Sequence, residues 1–421
     1  MRKFPFNIYL FIGLTSIFPL IDFFNGLFLT SGAEAPIGVV YRFFFFLFLV
    51  IMIVLHPSSP SFLTFATFLF IIGNLLIWLF QGIFLQNPLS WMTLDISVFV
   101  KYFLWVLIPY YIYQRKDIFQ IIGFDKLFLW ISILFTLELL IPYLLGVGTH
   151  TYTASDAGYK GFFYAQNDVS YAFIILITLT GAQLLKEIRK KSKWMLPLLA
   201  LYIGNIFCLL LIGTKTGVVY GAAVTIYILI RLISGRYSRS LLQQISIWLA
   251  SLFAIFLLAY RGIQYAIDMV SGTVERMTYF YHLYNGNLVR LLSSSRSDFF
   301  EGGANAFLND PHLNFTLLFG QGFEYRLENF GRLGLIEMDF FDAFFGLGII
   351  GVLLLVLVLG YYVWVALRKE NRSIYSFVLI VSLLYGFFAG HVLFSAVSST
   401  FLGLICGAVL LQKNNYTNDS D

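Results

Sequence analysis

Three carboxylates lie within residues 337–342, at Glu337, Asp339 and Asp342, directly before a long apolar run. Asp339 and Asp342 stand three positions apart, so a helix would place both on one face. Negative charge near a helix N-terminus is favourable, which would make the cluster a helix cap. A carboxyl group in apolar surroundings can instead have its pKa raised toward neutrality, as a general base requires. We favour the base over the cap and predict catalysis by one of the three.

The segment 261–338, which ends at this cluster, contains arginine but no lysine. The planar guanidinium pairs bidentately with phosphate, whereas the lysine ammonium is a point charge. Ion pairs with acidic residues of the same segment are the alternative. We expect at least two of the arginines to contact phosphate. The segment's arginines are Arg261, Arg276, Arg290, Arg296, Arg326 and Arg332, and the last four are our candidate pyrophosphate ligands.

Two cations fall inside apolar runs, at Arg42 and Lys101. A charge within a membrane span costs about 2.5–3.5 kcal/mol on insertion scales. Arg42 can extend toward the membrane surface, and we include it among the pyrophosphate candidates. Lys101 lies deeper and requires a carboxylate or a cavity, with Asp95 and Glu138 as candidate partners. A structural ion pair and a functional site are equally consistent with Lys101.

A very short hairpin, Gly213-Thr214-Lys215-Thr216-Gly217, joins two apolar runs. Its glycines permit a tight turn, and the backbone N–H groups that begin a helix can bind an anion. A simple turn is the equally weighted alternative. Lys215 is therefore the sixth candidate ligand of a pyrophosphate.

Aromatic and polar residues precede the apolar run that follows residue 166. Asn167 or Asp168 would by default cap that helix, and the aromatic residues would suit a membrane interface. The same residue types suit a sugar-binding surface. We name Tyr164, Asn167 and His312 as candidate glycan or acceptor contacts. No histidine has metal-ligand spacing to another histidine or to cysteine, so we predict no metal site.

The amino-acid composition indicates the class of protein whose structural elements position these residues. The 421-residue chain is 59% hydrophobic and 12% charged, with 47 Phe and 26 Tyr. Soluble domains carry about 25% charged residues, so a soluble enzyme and a disordered chain are both excluded. The two cysteines lie in apolar runs, which excludes a disulfide framework. The chain must be mostly solvated by lipid.

A membrane-spanning helix needs about 20 mostly apolar residues. We therefore predict an all-α polytopic membrane protein with about twelve spans and one large extracytoplasmic loop. Nine spans occupy 1–260, the helical loop is 261–338, three spans occupy 339–412, and 413–421 is a tail. The spans are 6–25, 37–55, 62–85, 93–113, 124–145, 167–185, 194–212, 216–233, 241–260, 339–366, 374–391 and 395–411.

The distribution of lysine and arginine predicts the orientation. Basic residues cluster at alternate loop positions, as in the run Lys186 to Lys193, while the short loops of the other side hold only Lys160 and Lys215. Cytoplasmic loops carry the excess of positive charge. Both termini are therefore predicted to be cytoplasmic, and the loop 261–338 to be outside. We interpret the first apolar run as a retained helix rather than a signal peptide.

In order and topology the chain resembles the O-antigen ligase and polymerase superfamily, whose members act on polyprenyl-linked glycans. The resemblance covers roughly residues 155 to 365. The segments that carry it are Gly161 to Asn167, Gly213 to Gly217, Ser295 to Phe300, Gly320-Gln321-Gly322 and Glu337 to Gly351. Two positions depart from the family's pattern. Lys215 replaces a common arginine, and Glu337-Met338-Asp339 stands where ligases typically have a His-Asn pair.

The resemblance implies a membrane glycosyltransferase of the GT-C-like kind at the bacterial cytoplasmic membrane. Its donor would be an oligosaccharide on undecaprenyl pyrophosphate, and no nucleotide sugar, metal or other cofactor would be needed. The missing histidine favours a polymerase of capsule, exopolysaccharide, O-antigen or teichuronic acid over a ligase. A ligase acting on another acceptor and a lipid-linked oligosaccharide flippase or transporter are the alternatives. The implied partners are membrane lipid, a flippase and a chain-length regulator, with no nucleic acid.

Overall fold

The computed structural model describes residues 4–33, 35–57, 60–152, 157–233, 271, 274–275 and 277–412. The predicted span 241–260, the tail 413–421, Arg261 and Arg276 lie outside these residues. Elsewhere the chain is a polytopic all-α membrane protein. Nine helices of the described part are long and apolar enough to cross a membrane. Apolar side chains in lipid carry no penalty, and helices satisfy their own backbone hydrogen bonds there, so the composition favours this architecture.

The elements follow the apolar runs closely. The helices up to residue 233 are α1 Phe6–Thr30, α2 Ile37–Val54, α3 Phe62–Phe84, α4 Leu89–Gln114, α5 Lys116–Ile122, α6 Asp125–Leu144, α7 Gln166–Arg189, α8 Met195–Ile212 and α9 Lys215–Ile233. Those after it are α10 277–283, α11 Leu288–Leu292, α12 Arg296–Leu308, α13 Leu313–Phe319, α14 Phe323–Phe330, α15 Asp339–Leu367, α16 Ile374–Phe388 and α17 Ala396–Leu411, with a 3₁₀ turn at Gly331–Gly334.

The chain divides into two compact units. The first comprises Met1–Thr15, Pro36–Phe124 and Gly286–Asp421. Its core is α17, which is buried along nearly its whole length and packs on α4. Gly403 and Gly407 face Trp105, Ile108 and Ile112, where a side chain would collide. Small residues at such positions let two membrane helices approach closely.

The second unit comprises Ser16–Ala35 and Asp125–Asn285, with α7 packed against α6, α8 and α9. Asn205 lies in its interior and hydrogen-bonds to Ser132, Thr136 and Thr180 at 2.9–3.3 Å. Buried amide groups need such partners, and here they join α6, α7 and α8. A short antiparallel hairpin, β1 Thr149–Tyr152 and β2 Ala157–Gly161, pairs His150 with Tyr159. The sequence analysis did not predict these strands.

The Gly320-Gln321-Gly322 turn docks on a kink in α15. Gly348 is non-helical, with φ 69° and ψ −172°, which frees carbonyl groups of the preceding turn from the helix ladder. The amides of Gln321 and Gly322 donate to the carbonyls of Phe345 and Gly346 at 3.0 Å. A side chain at Gly320 would overlap the backbone of Gly346. The Gly320-Gln321-Gly322 turn and the kinked part of α15 therefore contact each other through their backbones.

We expect Gly320→Ala to destabilise the protein by about 2–5 kcal/mol, because it adds a clash to an unfavourable positive φ. Gly331→Ala is the matched control, since Gly331 also has a positive φ but no described residue lies within 4 Å of a β-carbon placed there. Thermal unfolding of both purified variants measures the difference. An equal loss of stability in the two variants would contradict the docked arrangement.

Two boundaries differ from the predicted ones in a way that matters for the site. The predicted span 374–391 ends at Phe388, because residues 389–395 form an ordered turn. The predicted cap of α7, Asn167 or Asp168, is wrong, because Ala165 occupies the cap position without a side-chain hydrogen bond. Within 277–338, the described part of the predicted loop consists of short helices, as expected.

Candidate functional site

Three charged or ionisable side chains from separate segments meet in the first unit. Arg296 begins α12, Glu337 lies two residues before the first residue of α15, and His391 follows α16. The Arg296 Nη2 atom lies 3.1 Å from Glu337 Oε2, and His391 Nε2 lies 3.9 Å from the same oxygen. The side chain of Glu337 is 45% exposed, against 11% for Arg296 and 32% for His391. The Glu337 carboxylate thus contacts Arg296 and lies near His391 on one side, and it is exposed on another.

Arg296 also fixes the backbone around the site. Its Nε donates to the carbonyl of Glu337 at 2.9 Å, and its Nη2 donates to the carbonyl of Ala389 at 3.1 Å. One guanidinium therefore joins α12, the start of α15 and the turn after α16. In the described part of the chain its Nη1 makes no hydrogen bond, so one donor remains for a ligand.

Two buried aspartates hold the segments that carry Glu337 and His391. Asp342 accepts from the amides of Ile336 at 2.7 Å and Met338 at 3.1 Å, on either side of Glu337. Asp339 accepts from the amides of Val392 at 2.8 Å and Leu393 at 3.2 Å, directly after His391. Of the three predicted carboxylates, the geometry favours Glu337 for contact with a substrate and the two aspartates for positioning.

The backbone at the site adopts uncommon conformations. Ser295, Glu337 and His391 have φ of 66°, 61° and 63°, a region that residues with side chains rarely occupy. Gly390 also has a positive φ, and a side chain there would overlap the carbonyl of Glu337. Such conformations persist only where the surroundings enforce them, and they cluster at functional sites. The buried aspartates and Arg296 supply that enforcement.

Aromatic side chains pack α12 against the start of α15. Phe307, Ile336 and Phe345 form a buried cluster, with the Phe307 and Phe345 rings 5.2 Å apart. Phe300 contacts Phe341 edge-on at 4.8 Å. These contacts bring Arg296, one helical turn before Phe300, to Glu337.

The charges around Glu337 keep it ionised. The nearby His391 lowers the pKa of Glu337 most, the charge of Arg296 lowers it further, and together they outweigh the opposite effect of partial burial. The carboxylate is thus the dominant form at neutral pH and can accept a proton. A pKa below the usual 4.5 makes it a modest base, which suits a reaction whose leaving group departs readily.

We expect acid to weaken the protein through this site. Because the pKa of Glu337 is lower in the folded state than in the unfolded one, its stabilising effect is complete above about pH 4.5 and is lost below it, as pH falls through the folded-state pKa. The melting temperature of the wild type should therefore fall more steeply below that pH than that of Glu337→Gln. Parallel curves for the two proteins would contradict the ion pair.

Arg326, a predicted pyrophosphate ligand, lies buried inside the loop fold. Its Nη1 donates to Gln321 Oε1 at 2.6 Å, and its Nε donates to the carbonyl of Gly334 at 3.0 Å. Gln321 in turn donates to Asp310. Burial lowers the pKa of Arg326 to about 10. This geometry favours a structural role, because the side chain is buried and its donors are engaged by acceptors of the loop.

Replacement of Arg326 by Met is expected to cost about 3–5 kcal/mol of stability, since it leaves Gln321 and the loop carbonyls without their buried donor. Arg332→Met, on the exposed surface of the neighbouring turn, should change stability by less than about 0.5 kcal/mol. Chemical denaturation in detergent compares the two. Equal stabilities would show that the buried network is unimportant.

The other predicted residues of the first unit are dispersed. Arg290 is partly exposed and pairs with Asp298 at 2.6 Å. His312 is exposed at the start of α13, and its amide donates to Asp310 at 2.7 Å. Arg42 lines a different cavity, together with Lys101. Asp95 accepts from the amide of Glu324 at 2.9 Å, so it caps α14.

The remaining candidates belong to the second unit. Thr214 caps α9, with Gly217 N donating to its Oγ1 at 3.3 Å and Ser170 Oγ 2.5 Å away. Lys215 is partly exposed beside this closed turn. Asn167 lies in the first turn of α7, and Tyr164 is largely exposed. The hairpin therefore satisfies its own helix terminus, as the turn interpretation expects.

Sequence reasoning missed His391 as a site residue. Its signal was a polar Gly390-His391 pair at the end of an apolar run, which we interpreted as the end of a span. The amides of Val392 and Leu393 donate to Asp339, and this three-dimensional contact brings the turn back to Glu337.

Fold and site together define a polytopic helical membrane protein with a charged site between the start of one apolar helix and the end of another. The chain belongs to the family of O-antigen ligase like membrane proteins, whose model matches residues 2–289 and 287–415. It is thus a member of a family of membrane enzymes that transfer glycans and act on lipid-linked glycans. No curated protein matches the chain.

Proposed function

We propose that the protein polymerises oligosaccharide repeat units carried on undecaprenyl pyrophosphate, at the outer face of the bacterial cytoplasmic membrane, with both termini in the cytoplasm. The observation that carries the proposal is the meeting of Arg296, Glu337 and His391 in a member of this family. A carboxylate beside a guanidinium and an imidazole matches a reaction that needs a proton acceptor and has an anionic leaving group.

In the proposed reaction, Glu337 accepts the proton of an acceptor hydroxyl group. The hydroxyl oxygen forms a bond to the anomeric carbon of the donor glycan, and the bond from that carbon to the pyrophosphate oxygen breaks. The electron pair leaves with undecaprenyl pyrophosphate. Direct displacement would invert the anomeric centre. Pyrophosphate leaves readily, so protonation by a general acid is not required.

Cationic groups carry the larger share of the catalysis, because they stabilise charge that develops on the pyrophosphate. Arg296 Nη1 is the donor best placed near Glu337 for this role. Arg290, Arg332 and Lys215 stay candidate pyrophosphate ligands, while the burial of Arg326 argues against direct contact. Tyr164, Asn167 and His312 stay candidate glycan contacts. The polymer would be capsule, exopolysaccharide, O-antigen or teichuronic acid.

Purified protein in liposomes with lipid-linked repeat units tests the proposal against transport. We expect glycan chains to lengthen without any ion gradient. A reproducible absence of lengthening, together with movement of the lipid-linked unit across the bilayer, would instead support a flippase. Adding the implied partner proteins, a flippase and a chain-length regulator, should alter the length of the glycan product. Neither partner should be required for formation of the glycosidic bond.

Ligase activity is the second candidate, and His391 favours it. The histidine typical of ligases is missing from the segment Glu337-Met338-Asp339, yet an imidazole from another segment lies close to it, with His391 Nε2 3.9 Å from Glu337 Oε2. The absence of histidine from the motif therefore distinguishes a polymerase from a ligase less clearly than the sequence indicates. A reaction mixture with both a lipid-linked repeat unit and a glycan acceptor that carries no polyprenyl group distinguishes polymerase from ligase activity. A polymerase extends only the lipid-linked repeat unit.

A further inference from the structure

A groove with aromatic walls lies in the first unit, near the end of α15 that is farthest from Glu337. Its volume is about 360 Å³. Phe62 is 53% exposed and Trp364 is 51% exposed, so the groove opens on the surface of the protein. The lining residues are Phe62 at the start of α3 and Leu357, Tyr361 and Trp364 on α15.

The sequence spacing accounts for the walls of this groove. Leu357, Tyr361 and Trp364 stand four and three positions apart, so they lie along one face of α15. The ring of Tyr361 lies 5.4 Å from that of Phe62 and 5.9 Å from that of Trp364, measured between centroids. Tyr and Trp are enriched where the hydrocarbon of a membrane meets its head groups. The groove is therefore of the kind that lies at this boundary.

Arg368, which follows the last residue of α15, stacks beside the groove. Its Cζ atom lies 3.4 Å from the centroid of the Trp364 ring. A guanidinium held over an aromatic face keeps its N–H donors in a plane, where they can pair bidentately with phosphate oxygens. Among the residues that the structure describes, the exposed Arg368 side chain has no hydrogen-bond or ion-pair partner. It thus offers a positive charge and several donors next to an apolar groove.

The length of α15 indicates which lipids can reach the groove. This helix is a candidate membrane span of 29 residues, or roughly 44 Å at 1.5 Å per residue, against a hydrocarbon core of about 30 Å. Glu337 and Arg368, which flank it, therefore lie at opposite membrane surfaces. The proposed reaction takes its polyprenyl-linked donor at the Glu337 surface, so the lipid beside Arg368 belongs to the other leaflet.

The size and chemistry of the groove select among lipids of that leaflet. Its volume is near the lower end of the roughly 300–1,000 Å³ of ligand pockets, which suits one apolar chain. The guanidinium attracts an anionic head group, whereas it repels the ammonium group of a zwitterionic one. Both features are satisfied by an anionic phospholipid.

We propose that the groove binds one anionic phospholipid, with an acyl chain against Phe62, Tyr361 and Trp364 and the phosphate paired with Arg368. The choice of a phospholipid over a polyprenyl phosphate rests on the proposed function. Binding itself does not need glycan transfer, so a protein without transferase activity would still hold the lipid.

Native mass spectrometry of the purified full-length protein tests the proposal with three probes: phosphatidylglycerol, phosphatidylcholine and undecaprenyl phosphate. We expect the monomer to retain phosphatidylglycerol in preference to phosphatidylcholine. Equal retention of these two lipids would overturn the proposal. A wild-type dimer that carries no lipid and that is lost in Leu357→Trp would show that a second copy of the chain covers the groove, and it would overturn the proposal too.

Variants locate the binding. Arg368→Gln should weaken the affinity for phosphatidylglycerol about tenfold, because a charge-assisted contact contributes about that factor. Leu357→Trp fills the groove but keeps the cation, and it should weaken binding similarly. Lys116→Gln is the matched control, since it removes an exposed cation just beyond the end of α4 that contacts the start of α3. The control should keep the wild-type affinity.

The same variants separate this groove from the proposed donor site. Undecaprenyl phosphate held near Glu337 should be retained equally by the wild type and Arg368→Gln. Loss of that lipid in Arg368→Gln, with phosphatidylglycerol unaffected, would show that a polyprenyl lipid occupies the groove and would overturn the proposal. Equal weakening of phosphatidylglycerol binding by the control and both groove variants would show general charge attraction, with the same consequence.

Discussion

Glu337→Gln is expected to lower the rate of glycan transfer by about 10²- to 10⁴-fold, the usual contribution of a general base. The amide keeps the shape of the side chain and can still accept from Arg296, whose Nη2 lies 3.1 Å from the carboxylate. The substitution removes the ability to take a proton and the negative charge that pairs with Arg296. The loss should therefore appear in kcat, with little change in KM, in liposome assays with saturating lipid-linked donor.

Glu301→Gln is the matched control, because Glu301 is an exposed carboxylate on α12 outside the site. It should retain the wild-type rate. Asp339→Asn and Asp342→Asn are expected to act differently from Glu337→Gln, since they remove acceptors of backbone amides and should lower stability as well as rate. Full activity of Glu337→Gln at normal protein levels would show that the base lies elsewhere.

Arg296→Lys is expected to lower kcat by about 10²- to 10³-fold, the loss typical of removing one donor to developing negative charge. Lysine keeps the charge but cannot reproduce the donors that reach the Glu337 and Ala389 carbonyls, nor the remaining Nη1. The substitution also weakens a contact that lowers the pKa of Glu337. The acid limb of the pH–rate profile should therefore move to higher pH.

Arg372→Lys supplies the control, since Arg372 is exposed in the short connection before α16. It should leave both the rate and the pH profile unchanged. The pH profile distinguishes a role at the reacting centre from a purely structural one, because general loosening of the fold would lower the rate without moving the acid limb. An unchanged rate in Arg296→Lys would remove this guanidinium from the mechanism.

Most of the fold could be predicted from sequence because apolar run length alone specifies a membrane helix. The predicted run 62–85 became Phe62–Phe84, and 194–212 became Met195–Ile212. The kink at Gly348 and the hairpin at Thr149–Gly161 could not be predicted, since both depend on distant partners. The kink at Gly348 leaves the carbonyls of Phe345 and Gly346 to accept from the amides of Gln321 and Gly322. A lone glycine in the sequence does not indicate those donors.

The site was predictable in part. The sequence singled out Arg296 and Glu337 by residue type and by position at the edge of an apolar run. It could not separate Glu337 from Asp339 and Asp342, because their roles depend on which backbone amides each carboxylate meets. Nor could it place His391, which lies 54 residues from Glu337 in the chain and reaches it only through the turn that Asp339 holds.

Release of undecaprenyl pyrophosphate for each new glycosidic bond is the measurement that shows whether Glu337 catalyses glycan transfer. In liposomes with purified protein and lipid-linked repeat units, the wild type should release one pyrophosphate lipid for each unit added, without metal or nucleotide, while Glu337→Gln should release almost none. Glycan growth without release of that lipid, or equal release by the two proteins, would contradict the account.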